Sequence, residues 1–341
     1  MTQGESTPMT ANLSEERALR LPRDFALIAV GLDVAMFVIG MAVVLMDVMP
    51  GGEQLRSAFA RPDVWVMTLA GLAAPLTMAA VLAWSHGRNA LERRGVADVA
   101  LALGARLRFG CVCALVVVLN HYGLGRLFPE FRMFFGGPGW FEYSPFLAIG
   151  LALLLQWLAR LVVLALGLWL AARIALGRGR VAPAGAQDDA AIELAGAAPR
   201  RAGVTVFAAV FASLHLWSGL LIANSVAPSN DGVPKLLLTL VLPWLVAFAI
   251  AFCSGWLGTR PGLPLARPFR AVAASVSTFV LVQVSSFVIA AAWTFAATSS
   301  SMGRLHGLGS LVAFVAVVLV YIALVVVIGS VVMRRFYRRD L

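Results

Sequence analysis

Eight apolar runs, each long enough to cross a lipid bilayer as a helix, divide this sequence. A crossing helix takes about 20 mainly apolar residues, and in hydrocarbon its backbone groups must bond to one another. The pattern predicts an all-α fold, a polytopic integral membrane bundle of eight transmembrane helices. The runs are Ala26–Met49, Val64–Trp84, Phe109–Gly125, Phe146–Ala172, Gly203–Ala227, Leu236–Leu257, Ala271–Ala297 and Leu308–Met333.

The composition excludes a soluble alternative. Hydrophobic residues make up 60% of the 341 residues and charged residues 13%, whereas soluble domains average about 45–50% and about 25%. The formal net charge is +10, but no basic run carries interleaved aromatic residues, so nucleic-acid binding is not expected. Membrane lipids are the expected partners, and the chain could also form a homo-oligomer or join other membrane subunits.

The basic residues are distributed unequally between the two sides of the predicted spans. Twenty arginines fall on one side, six arginine or lysine residues on the other, and Arg160 lies inside a span. Because loops rich in Lys and Arg stay in the cytoplasm, both termini are predicted to be cytoplasmic. The first 25 residues are polar and the apolar run after them is too long for a signal peptide, so a retained first helix is expected. Abundant arginine with little lysine suggests a bacterial source, and hence residence in the inner membrane.

The loops suggest a division into two halves. Residues 1–25 form a predicted N-terminal tail, 26–173 a first four-helix half, 174–202 a flexible cytoplasmic linker, 203–333 a second four-helix half and 334–341 a basic tail. Residues 62–88 align with 234–260 without a gap, which matches Trp84 to Trp256 and Arg88 to Arg260. This similarity suggests a parallel 4+4 repeat, as found in some transporters, although apolar helices also align by chance.

Two features make individual spans irregular. A third span near Ala97–Val118 would place Arg106 and Arg108 at its centre, at a cost of about 2.5–3.5 kcal/mol each. The span is therefore predicted at Phe109–Gly125, with Val96–Arg108 as an amphipathic surface helix. Pro75 and Pro243 lie inside the second and sixth runs, where each is expected to kink its helix.

Polar side chains at membrane depth are the candidate functional residues, because burying them in hydrocarbon is costly. In the seventh run, polar and small residues recur on one face, which suits either helix packing or the lining of a wet cavity. The predicted substrate or ion pathway consists of Asp33, His121, Gln156, Arg160, His215, Gln283 and Ser286.

Arg160 and the two histidines leave several interpretations open. Arg160 cannot lose its proton, so it is expected to pair with Asp33, to bind a substrate anion or lipid phosphate, or to extend toward the interface. His121 and His215 could be hydrogen-bonded interior residues. They could instead serve a proton relay with Asp33, or ligate a b-type haem.

The outer loop at Leu127–Pro145 is rich in aromatic residues, which favour the membrane–water interface. We expect a short interfacial helix there, then a tight turn at the Gly-Gly-Pro-Gly sequence. The predicted lipid contacts are Phe131, Phe135, Trp140 and Tyr143. The same loop could act as a lid or platform for a hydrophobic substrate.

The motifs that would identify an enzyme are missing from the sequence. It contains no phosphate-binding P-loop, zinc-protease motif or serine-hydrolase elbow. Cys111, Cys113 and Cys253 lie in apolar runs and are expected to be small packing residues, so no metal site and no cofactor is expected. The leading hypothesis is a transport or flippase-like protein. The alternatives are a non-catalytic accessory or scaffold subunit of an envelope complex, and a lipid-modifying or haem redox enzyme.

Overall fold

The computed structural model contains helices and their connections over all the residues that it describes. These residues are 8–46, 52–93, 102–136, 145–177, 198–225, 237–260, 267–299 and 308–338. Within them, eight helices are long and apolar enough to cross a membrane. The predicted all-α fold with eight spanning helices is therefore confirmed.

Ten α-helices follow one another along the described chain, eight of them spans and two of them short. The short helices are α2 (Gly52–Phe59) and α5 (Leu127–Gly136); the spans are α1 (Pro8–Leu45), α3 (Pro62–Glu92), α4 (Ala102–Val118), α6 (Pro145–Ala175), α7 (Ala198–Ser225), α8 (Leu242–Gly258), α9 (Pro268–Ser299) and α10 (Leu308–Tyr337). Helix α5 is the short helix predicted in the aromatic loop, whereas α2 was not predicted.

The chain divides into two compact units. Unit 1 comprises Met1–Glu193 with Trp217–Leu240, and unit 2 comprises Leu194–Leu216 with Val241–Leu341. The boundary falls inside α7. Of the predicted linker at 174–202, residues 174–175 belong to α6 and 198–202 to α7. Residues 178–197 lie outside the described part of the chain.

Four spans of unit 1 form a ring. Helix α1 packs against α3 and α4, and α6 also packs against α3 and α4, so α1 and α6 lie on opposite sides of the ring. Phe25 of α1 and Phe109 of α4 stack at 4.1 Å between ring centroids, and both are fully buried. A Cβ atom on Gly167 of α6 would lie 2.5 Å from the Val116 side chain of α4, so these two helices approach closely.

Helix α7 provides the centre of unit 2. Its residues 202–214 are nearly all buried, as expected for a helix that is apolar on every side. Phe207 lies beside Gly255 of α8 and Gly329 of α10, and Phe211 meets Phe279 of α9 edge to face. The α7 segment of unit 2 therefore contacts each of the three other spans of that unit.

The third span begins earlier than predicted. Helix α4 starts at Ala102 and contains Arg106 and Arg108, so a separate surface helix ending at Arg108 was wrong; residues 96–101 lie outside the described ranges. The free-energy cost of placing these two arginines in the membrane is reduced, because each donates hydrogen bonds to an acceptor near the start of α4. Arg106 donates to Asp24 of α1 at 2.5 and 2.8 Å, and Arg108 donates to the Gly104 carbonyl at 2.7 Å.

Two spans contain a widened π turn. One, Leu119–Gly123, continues α4, and the other, Leu237–Val241, precedes α8. Pro243 lies in the first turn of α8, two residues after the second π turn. Pro75, by contrast, lies inside α3.

Candidate functional site

The centre of the candidate site is a hydrogen bond between Asp33 of α1 and His121 at the end of α4. Nε2 of His121 donates to Oδ1 of Asp33 at 2.5 Å. The Asp33 side chain is 1% exposed and the His121 side chain 29% exposed. Asp33 is thus a carboxylate buried in a spanning helix, and the imidazole on it retains some access to its surroundings.

A π turn brings His121 to this position. Asn, His and Gly have weak helix propensity, and in the sequence Leu-Asn-His-Tyr-Gly they occupy Asn120, His121 and Gly123 of the widened turn. One extra residue in a turn rotates the following side chains relative to a regular helix. Such turns occur often at functional sites.

Helix α6 supports the end of the third span. The Leu124 carbonyl follows the π turn, and Nε2 of Gln156 donates to it at 3.4 Å. Gln156 is buried, so this contact satisfies a polar side chain and a backbone acceptor together. Gln156 therefore contacts the segment that directly follows the π turn of His121.

Arg160 lies midway along α6, one helical turn after Gln156. Its guanidinium interacts electrostatically with Asp33. Among the described residues, however, the base within ion-pair distance of the Asp33 carboxylate is His121. Within the same part of the chain, Nε of Arg160 is buried without a hydrogen-bond partner. The expected Asp33–Arg160 ion pair was therefore wrong: Oδ1 of Asp33 contacts His121 instead, and Oδ2 has no hydrogen-bond partner among the described residues.

Several buried polar atoms of unit 1 have no hydrogen-bond partner within the described ranges, and three of them belong to the candidate residues or to the π turn. These three are Oδ2 of Asp33, Oδ1 of Asn120 and Nε of Arg160. A buried polar atom without a partner costs about 1–3 kcal/mol. Unit 1 thus contains a carboxylate–imidazole pair, which can exchange a proton. It also contains the guanidinium of Arg160, whose Nε–H group has no acceptor among the described residues.

The other three predicted pathway residues belong to unit 2. His215 of α7 shares a hydrogen bond with the Tyr321 hydroxyl of α10, with Nδ1 and Oη 3.1 Å apart. Gln283 and Ser286 are half-buried on α9, and Oγ of Ser286 has no hydrogen-bond partner in the described part of the chain. Their place in a pathway remains a prediction.

The two histidines that could ligate haem lie in different units, His121 in unit 1 and His215 in unit 2. Each has a hydrogen-bond partner of its own. Over the described ranges, no group of three or more His, Cys, Asp or Glu side chains is placed to hold a metal ion. The haem alternative stays untested.

The predicted lipid contacts fall largely outside the described side chains. Phe131 is half-buried on α5, which packs against α6. Its neighbours Met133 and Phe134 are 64% and 61% exposed. Trp140 and Tyr143 lie outside the described residues, as does the side chain of Phe135.

Several polar residues were missed by sequence reasoning. Asn120 is buried in the π turn, and no sequence pattern predicts such a turn. Tyr321 did have a signal, since it is the one tyrosine within the apolar run 308–333. Arg200 lies 3.8 Å above the Trp256 ring and donates to the Trp256 carbonyl and the Thr259 hydroxyl. This contact joins α7 to α8 within unit 2.

Comparison of the chain with models of protein families, with curated proteins and with solved structures gives no match.

Proposed function

We propose that the protein is a transport or flippase-like protein of the bacterial inner membrane. Its polar pathway passes through Asp33, His121 and Arg160 in unit 1. Gln156 supports that pathway, and the proposed pathway residues of unit 2 are His215, Gln283 and Ser286.

The Asp33–His121 contact is the observation that carries this proposal. A buried ion pair seldom stabilises a protein more than apolar side chains of the same volume. Ionisable residues inside spanning helices therefore usually serve ion or substrate pathways and proton relays. A hydrogen-bonded carboxylate and imidazole can pass a proton between them, so this pair is suited to carry a proton through unit 1.

Reconstituted protein provides the test. The full chain is placed in vesicles that contain a pH-sensitive dye, and a potassium gradient with valinomycin sets the membrane potential. A second set of vesicles contains a fluorescent phospholipid, whose movement between leaflets is followed by chemical quenching. We expect wild-type protein to accelerate at least one of the two processes, and Asp33→Asn and His121→Gln to abolish that acceleration.

Asp24→Asn is the matched control, because Asp24 lies on the same helix as Asp33 and pairs with Arg106 near the start of α4. It is expected to retain the activity. Wild-type vesicles in which neither protons nor lipids move faster would contradict the proposal and favour an accessory or scaffold subunit. A Soret absorption band in the purified protein would favour the haem redox alternative.

The proposal includes a parallel 4+4 repeat and cytoplasmic termini. The repeat is supported by the alignment of residues 62–88 with 234–260, and the orientation by the arginine distribution. The proposed partners are membrane lipids, further copies of the chain or other membrane subunits.

A further inference from the structure

Arg160 is the buried charge of unit 1 that proton transfer alone does not use. We propose that its guanidinium binds an oxyanion, the phosphate or carboxylate group of the cargo or of a lipid. This inference rests on the proposed function and names the chemical class of ligand at the same site.

Among the acids of the unit 1 spans whose side chains the structure describes, none is left to form an ion pair with Arg160. Each of those acids contacts a different base. The pairs are Asp24–Arg106, Asp33–His121, Asp63–Arg61 and Glu92–Arg88. Within the described residues, Arg160 therefore has an electrostatic interaction with Asp33 but no ion pair of its own.

The position of Arg160 makes a missing counter-charge costly. It lies about 22 Å of helix from each end of α6, near the middle of the span. An arginine at mid-span costs about 2.5–3.5 kcal/mol on the insertion scale. An anion bound there would offset the charge and would accept a hydrogen bond from the buried Nε–H group.

The ligand class follows from the geometry of the guanidinium. Its planar array of N–H donors matches the two oxygens of a carboxylate or phosphate. Helix α6 is opposite α1 in the ring, with α3 and α4 between them. His121 donates to Asp33, and when the imidazole is protonated its positive charge reduces the repulsion between Asp33 and an anion at Arg160.

Thermal unfolding of the full chain in neutral detergent, followed by tryptophan fluorescence, tests the inference. The probes are inorganic phosphate, acetate and phosphatidylglycerol. Chloride of equal ionic strength is the reference for the two salts, and diacylglycerol of equal chain length is the reference for the lipid. A ligand that binds the folded state raises Tm as its concentration rises. Stabilisation by phosphate or acetate identifies a free anion, and stabilisation by phosphatidylglycerol alone identifies a lipid headgroup.

Arg160→Met is expected to lose this stabilisation, and Arg160→Lys to weaken the affinity by about tenfold or more, because lysine lacks the planar array of donors. Arg173→Gln is the matched control. Arg173 lies on the same helix over the Trp169 ring, so its substitution removes one charge outside the site and is expected to keep the response.

If Arg160 serves to bind an anion, then removing its charge should leave the anion-free protein as stable as the wild type or more stable. Arg160→Met is therefore expected to have an equal or higher Tm in anion-free buffer. A lower Tm that Arg160→Lys restores without anion would overturn the inference, as would a wild-type protein that no probe stabilises. Anion binding to Arg160 requires no gradient across a membrane. A protein that binds the anion but moves neither protons nor lipids would therefore contradict the proposed function and leave this inference standing.

Discussion

Charged side chains in these spans divide into two kinds by their place along the helix. Asp24 and Arg106 pair near the start of the apolar segments Arg20–Val43 and Leu103–Gly123, with side chains 25% and 42% exposed. Asp33, whose side chain is 1% exposed, pairs with His121, whose side chain is 29% exposed. The first pair retains contact with water, which weakens its attraction. The second lies where an unpaired charge is expensive, so its two members should depend strongly on each other.

A double-mutant cycle tests that dependence. Asp33→Ala or His121→Ala alone leaves one buried polar group without its partner and should reduce the free energy of unfolding by about 3 kcal/mol. The double variant should lose clearly less than the sum of the two, with a coupling energy of about 1–3 kcal/mol. The measurement is the midpoint of unfolding in mixed detergent micelles.

The Asp24–Arg106 pair provides the comparison for this cycle. The same substitutions there should give a coupling energy below about 1 kcal/mol. Strictly additive losses at Asp33 and His121 would show that the 2.5 Å contact contributes nothing specific to stability.

Helices of unit 2 meet through small residues. A Cβ atom on Gly258 of α8 would lie 2.5 Å from the Ser330 carbonyl oxygen of α10. Ser254 of α8 donates from its hydroxyl toward the Val325 and Val326 carbonyls, each at 3.1 Å. Small residues at such contacts let helix backbones approach closely, which in lipid is a main source of association energy.

Gly258→Ala should separate α8 from α10. Overpacking of this kind costs about 1–3 kcal/mol, and the backbone oxygen of Ser330 cannot move aside as a flexible side chain can. Gly40→Ala on α1 is the control, since nothing lies within 4 Å of its added Cβ; it should be neutral or slightly stabilising. Equal unfolding midpoints for the two variants would contradict this account of the α8–α10 contact.

The whole molecule is two helical units along a chain whose arginines are unevenly distributed. Outside the predicted spans, 20 basic residues fall on one side and 6 on the other. The described helices have the same number and order of spans as predicted. An even number of crossings places both chain ends on one side of the membrane. In the proposed orientation, the arginine-rich loops make that side the cytoplasmic one.

Reporter fusions test this orientation. Alkaline phosphatase folds actively only outside the cytoplasm, and green fluorescent protein exported in unfolded form fluoresces only inside. Fusions at residue 341 and within 178–197 should fluoresce and lack phosphatase activity. Fusions within 137–144 and 226–236 should show the reverse. Phosphatase activity at residue 341 would contradict the proposed orientation.

The number and order of the spans could be predicted because hydrocarbon accepts few structures. A run such as Ala271–Ala297 must be a helix there, whatever it packs against. The start of the third span could not be predicted in the same way. Insertion costs placed Arg106 outside the helix, whereas the carboxylate of Asp24, 82 residues away, compensates it inside.

The sequence by itself determined the all-helical class, the eight spans and the polar side chains at membrane depth, because apolar length and charge are local properties. Only the tertiary structure decided which of those side chains meet. Asp33 and Arg160 were natural partners by charge and depth, yet the π turn at Leu119–Gly123 places His121 on the carboxylate. A local widening of one helix depends on packing with its neighbours, so the hydrophobic periodicity of the sequence does not predict it.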